Sequence, residues 1–260
     1  MAMMAAAVLM LAGTVYALRG GWIGRNGLTI VGMDAEGFAM GGLAVIAAAY
    51  FFGPLYGAAL VLSVIIHEFG HVAAYRVAGH SDARFRLIPL MGGVAISNQL
   101  PASHVKDFFI TLLGPGICIA PMVLCFVLAD MTYYTMPQIS EFLWTFASVT
   151  AILNFFNLLP FWPLDGGRCL RIIAHSIWPG LANMLTIGMS AALVAAGVWL
   201  QSFILVIFAI MGAQSVVHAD TIARIQHPMS WSQTATAAAA YLFTLAAHLA
   251  GGWDLLSLYL

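Results

Sequence analysis

His67-Glu68-Phe69-Gly70-His71 decides how this chain is read, with Leu60-Val61-Leu62-Ser63-Val64-Ile65-Ile66 before it and Val72-Ala73-Ala74-Tyr75 after it. The pattern H-E-x-x-H on a helix sets two imidazoles four residues apart, about 40° from each other around the axis. Both rings can then reach one metal ion, with a carboxylate beside them to handle a proton. The flanks are apolar over a length that crosses a bilayer. A carboxylate inside such a span is costly unless it is paired, so the pattern predicts metal chemistry within a membrane.

Composition agrees with that placement. Hydrophobic residues make up 62% of the 260, and charged residues only 7%, against roughly a quarter in soluble domains. The chain reads as an all-α polytopic membrane protein, integral and multi-pass. A formal net charge of -1 leaves no basic patch to neutralise phosphates, so no nucleic acid partner is expected. Cys118, Cys125 and Cys169 lie in or beside apolar segments at spacings that match no disulfide framework or zinc knuckle, and read as small buried hydrophobes.

Apolar runs near the ~20 residues a bilayer needs fall at about 2–18, 38–53, 55–78, 107–129, 142–161, 182–199, 202–219 and 235–251. About seven or eight transmembrane helices are expected. Gly53-Pro54 alone separates the second and third runs, which predicts a tight hairpin or a re-entrant element. Met1 to Leu18 lacks a basic leading region and reads as a retained first helix that starts outside. With eight spans, all 9 Lys and Arg residues fall on one side. The positive-inside rule makes that side the cytoplasm. His71 lies about 7–8 Å along the helix from Arg76, so the active site is expected just below the cytoplasmic face.

A zinc hydrolase needs three protein ligands and an open position. His67 and His71 supply two, and the candidate third is Asp165, in Asn154-Phe-Phe-Asn157-Leu-Leu-Pro160-Phe-Trp-Pro163-Leu-Asp165-Gly166-Gly167-Arg168. Two prolines and two glycines break the helix there. Irregular backbone at membrane depth is tolerated only inside protein or along a cavity. Read alone, Asp165 suits a helix-end cap or a partner for Arg168 equally well.

H-E-x-x-H in a transmembrane helix, followed by Asn157-Leu-Leu-Pro160-Phe-Trp-Pro163-Leu164-Asp165-Gly166, resembles the site-2 protease family of intramembrane zinc metalloproteases. The resemblance covers roughly 55–180. It implies one zinc ion per chain on His67, His71 and Asp165, with Glu68 as the residue that activates water. It implies that Asn157 holds substrate backbone or the developing oxyanion. Arg86-Leu-Ile-Pro89-Leu-Met-Gly92-Gly93-Val-Ala-Ile96 resembles the family's membrane-associated β-hairpin. Alternating apolar residues with a turn at Gly92-Gly93 would there give a strand with an open edge that pairs with an extended substrate.

The expected organisation is N-terminal transmembrane helices over 1–54, a catalytic core over 55–180 with the hairpin near 84–98, and C-terminal transmembrane helices over 181–260. The expected partners are a transmembrane protein substrate and the lipid bilayer, in the inner membrane of a prokaryotic cell. The family's PDZ and CBS regulatory domains have no counterpart in the sequence, and no regulator is readable. His80, His104, His175, His218, His227 and His248 read as structural or interfacial, and Gly114-Pro115-Gly116 as a close-packing segment. Two other readings stay open: a non-proteolytic metal-binding membrane protein, such as a transporter or scaffold, and a hydrolase of lipids or small amides. Glu68 favours hydrolysis, because a purely structural zinc site has no use for an acid or base beside its histidines.

Overall fold

Apolar runs of this length satisfy their backbone polar groups internally by forming helices. The computed structural model, which describes residues 2–24, 27–28, 35–88, 92–202 and 223–257, shows the runs within those residues as such. In chain order the elements are α1 (Ala2–Ala17), α2 (Arg19–Trp22), β1 (Ile23–Gly24), β2 (Gly27–Leu28), α3 (Ala35–Val77), β3 (Arg84–Ile88) and β4 (Gly92–Ile96). Then follow α4 (His104–Thr132), α5 (Pro137–Asn157), α6 (Asp165–Ile177), α7 (Pro179–Trp199) and α8 (Trp231–Leu256). The chain forms two compact units: Met1–Gln99 with Leu113–Phe155 and Thr244–Leu260, and Leu100–Leu112 with Phe156–Phe243.

Five helical stretches among the described residues are long and apolar enough to cross a membrane: Gly41–Val77, His104–Thr132, Pro137–Asn157, Pro179–Trp199 and Trp231–Leu256. The difference from the expected seven or eight has three sources. The run at 202–219 lies outside the described residues. Helix α1 has only 16 residues. The runs at 38–53 and 55–78 are the two arms of α3, joined at Gly53 with φ 80 and ψ 163. A Cβ on Gly57 would sit 2.7 Å from the carbonyl carbon of Ala48. Residues nine apart on a straight helix would be about 13 Å apart, so the arms fold back on each other. Tyr50, Phe51 and Phe52 project outward near this bend, more than half exposed, an apolar surface suited to lipid rather than water.

In the first unit, the second arm of α3 carries the H-E-x-x-H segment. It ends in a Schellman cap: the Gly79 N–H donates to the Arg76 carbonyl and the His80 N–H to the Tyr75 carbonyl, with Gly79 at φ 105. This cap turns the chain into β3, which pairs antiparallel with β4 in the register Arg84↔Ile96, Arg86↔Val94 and Ile88↔Gly92. The turn is tied to the end of β4 by Asp82, whose carboxylate accepts from the Asn98 N–H at 2.6 Å and from the Ser97 hydroxyl at 3.1 Å. Arg76 reaches the Gly21 and Ala83 carbonyls, both at 3.2 Å, and Trp22 stacks on Phe69 at 5.5 Å. Ile119, Met122, Ala147 and Ala151 form a core between α4 and α5, with Ala247 of α8 against it.

In the second unit, Asp107 accepts from Arg168 at 2.5 Å and from the Gln226 amide at 3.3 Å. His104, read from sequence as structural, is buried and bonded to the Ser176 hydroxyl and the Ala223 carbonyl. Trp178 is extended before Pro179, which opens α7, as the residue preceding a proline tends to be. Ser230 and Gln233 form a reciprocal capping box at the start of α8.

Candidate functional site

Residues His67 and His71 lie one turn apart on α3, both buried. Their Nε2 atoms face each other at 3.1 Å. Two imidazole nitrogens on one tetrahedral zinc, at Zn–N distances of about 2.0–2.1 Å, would be about 3.3 Å apart. The nitrogens therefore already stand at ligand spacing. The His67 Nδ1 is 2.7 Å from the Asn154 Oδ1, a carbonyl oxygen that can only accept. The proton consequently sits on Nδ1, and the Nε2 lone pair is left for a cation. The donor chemistry and spacing fit zinc.

Glu68 is buried between the two histidines in sequence and lies under β4. A Cβ on Gly93 would overlap the Glu68 Cγ and stand 2.9 Å from its Oε1. Only glycine allows the strand to lie this close to the carboxylate. Gly92 and Gly93, read from sequence as a turn, are instead the first residues of β4, paired with Ile88 and Leu87.

The packing that holds the histidines depends on two more glycines. A Cβ on Gly70, between the histidines, would meet Ile117 Cγ2 at 2.6 Å, and one on Gly114 would overlap the His71 ring. Helices α3 and α4 thus approach closely at this level, the role read for the Gly114 segment. Next to it, the His248 Nε2 donates to the Pro115 carbonyl at 2.9 Å.

In the second unit Asp165 is the first residue of α6 and half-buried. The broken segment before it folds back closely: a Cβ on Gly166 would meet the Leu159 carbonyl oxygen at 2.5 Å, and one on Gly167 the Phe161 carbonyl at 2.5 Å. The Tyr241 hydroxyl fixes the segment by donating to the Leu158 carbonyl at 2.7 Å. The sequence places Asp165 on a loop, whereas the structure shows a helix start, because the glycine pair permits helical backbone directly under the fold-back. Asn157 ends α5, half-buried.

Asn154 was not singled out by sequence reasoning, yet it is the residue bonded to His67. The available signal was its spacing: it follows Thr150 by one helical turn on α5.

Residues 134–195, which include Asn154, Asn157 and Asp165, match Peptidase family M50. Over those residues the chain is similar to the site-2 protease (peptidase M50) family. Over 176 residues it is 30% identical to a zinc metalloprotease of Methanocaldococcus jannaschii, covering 63% of this chain and 50% of that protein. Over 114 residues it is 32% identical to stage IV sporulation protein FB of Bacillus subtilis, covering 44% and 38%. Over 137 residues it is 31% identical to putative zinc metalloprotease Rip3 of Mycobacterium tuberculosis, covering 51% and 33%. The chain spans half or less of the length of these curated relatives. The solved site-2 protease from M. jannaschii aligns with a TM-score of 0.48 at 21% identity, over 75% of this chain and 91% of that one. The segment similar to peptidase M50 sits in a chain with several membrane-length apolar helices, which makes this an integral membrane protein.

Proposed function

We propose that this protein is an intramembrane zinc metalloprotease that hydrolyses peptide bonds in or near transmembrane segments of other membrane proteins. The observation that carries this reading is the convergence of His67 Nε2 and His71 Nε2 at 3.1 Å, with Glu68 between them in sequence and β4 packed over its carboxylate. His67, His71 and Asp165, which each offer one ligand atom, hold a single zinc ion. Zinc, when bound, supplies Lewis acidity at that point. Glu68 takes a proton from the attacking water on its carboxylate and delivers it to the departing amide nitrogen.

A peptide bond inside a helix is shielded, so substrate must be extended before water reaches it. Each strand of the β3–β4 pair has one edge not paired within that sheet, and such an edge binds an extended segment through main-chain hydrogen bonds. Gly93 brings β4 against Glu68, so a segment added along it is positioned next to the proton acceptor. Asn157 donates its amide to substrate backbone or to the developing oxyanion. The reading also keeps the seven-to-eight-span topology in a prokaryotic inner membrane, with the site toward the cytoplasm.

The test is cleavage of a single-span substrate by the purified protein in proteoliposomes. A zinc chelator should abolish cleavage, and added zinc should restore it. Asp165→Ala should lose both zinc and cleavage. Zinc bound tightly by wild type with no cleavage of any extended or helical peptide would contradict the protease reading and favour a non-proteolytic metal protein.

A further inference from the structure

We infer that Asn154 is a positioning residue that fixes the tautomer and ring plane of His67, and that Ser63 with Thr150 forms a second polar rung locking α3 to α5 in the register this requires. The inference rests on the metal-site reading above and deepens it. Asn154, Thr150 and Ser63 are completely buried, at 0% exposure each. The Asn154 Nδ2 donates to the Thr150 carbonyl at 2.7 Å, while its Oδ1 lies 2.7 Å from the His67 Nδ1. The opposite amide orientation would set Asn154 Oδ1 against the Thr150 carbonyl oxygen, two acceptors without a proton between them. The amide is therefore held one way round, and the imidazole with it.

The Ser63 and Thr150 hydroxyls bond to each other at 2.5 Å. Ser63 precedes His67 by four residues and Thr150 precedes Asn154 by four, so the rungs stand one turn apart on both helices. A slip of one residue turns a helix by about 100° and breaks both rungs. A ring nitrogen bonded outside the metal shell is the means by which a histidine ligand keeps its orientation and basicity. Neither H-E-x-x-H nor the Asn157–Gly166 motif contains these three residues, so the lock is a property of this helix pair rather than of the signature.

Two measurements on the full chain in nanodiscs test the lock. In metal-free wild type, imidazole nitrogen shifts of ¹⁵N-histidine-labelled protein, with His67 assigned by the signals missing from His67→Gln, should show the proton on Nδ1. A proton on Nε2 would overturn the inference, and this outcome does not depend on any Asn154 variant folding. In zinc titrations Asn154→Leu should bind about 10–100-fold more weakly, and Asn154→Asp, which keeps an acceptor, should bind within a few-fold of wild type. The cobalt-substituted visible spectrum should change in Asn154→Leu and stay unchanged in Asn154→Asp. Equal zinc affinity in wild type and folded Asn154→Leu would refute the positioning role. Failure of wild type to bind zinc would instead sink the metal-site reading, leaving the tautomer measurement to decide the lock.

Discussion

Glycines decide how close backbone comes to the reacting groups. At Gly93 a methyl group would overlap the Glu68 side chain, and the strand or the carboxylate would have to move. Gly93→Ala should lower cleavage at least tenfold, because misplacement of about 1 Å at a reacting group costs on the order of 10²-fold. Zinc content, measured by atomic absorption, should stay near wild type because neither histidine is touched. Gly114→Ala should behave differently: its Cβ meets the His71 ring, so zinc affinity should fall along with cleavage. Two imidazoles four residues apart on one helix were legible in the sequence, since helical spacing is local. The bond from His67 to Asn154 was not, since its partners lie 87 residues apart and asparagine serves equally well as interhelical glue.

Two connections set the geometry of the helices and strands. Gly53 adopts backbone angles open only to glycine, and Gly53→Ala should destabilise the fold by about 1–3 kcal/mol, read from detergent-unfolding midpoints. The Gly53-Pro54 break was visible in sequence, but which of a hairpin or a re-entrant element it made depended on Gly57 meeting the Ala48 backbone. At the other end of α3, the Asn98 N–H, aided by the Ser97 hydroxyl, holds the Asp82 carboxyl below its ordinary value against the opposing effect of burial. A carboxyl depressed in the folded state adds stability that is present above its unfolded value of about 3.9 and is lost as pH falls through its folded value. Protection of the Asn98 amide, taken relative to its intrinsic exchange rate, should therefore fall below about pH 4, and Asp82→Asn should remove that acid dependence. The antiparallel pairing of β3 and β4 was suggested by alternating apolar residues around Gly92-Gly93. The Asp82 clasp was not, because an aspartate before a strand has no sequence signature of its own.

Across the whole molecule, hydropathy made the membrane helices legible, since long apolar runs leave the chain no other way to satisfy its backbone. The number of spans was harder to read, because α3 folds two runs into one element and α1 is short. In the orientation proposed above, the end of α3 at Arg76 and the start of β3 at Arg84 would face the cytoplasm, and the connection between α4 and α5, where Tyr134 is 91% exposed, would face outward. A cysteine at Tyr134 should react with an impermeant thiol reagent on intact cells, and one at Ser81 only after lysis. The reverse pattern would place the metal site on the other side of the membrane.

Glu68→Gln separates proton transfer from metal binding most directly, because the amide keeps the shape of the carboxylate and removes its basicity. Zinc content and cleavage of a single-span substrate should be measured on the same preparation. The expected result is zinc retained near wild type, with cleavage reduced by about 10²–10⁴-fold. Cleavage at the wild-type rate with zinc bound would contradict the role assigned to Glu68 and the hydrolytic mechanism built on it.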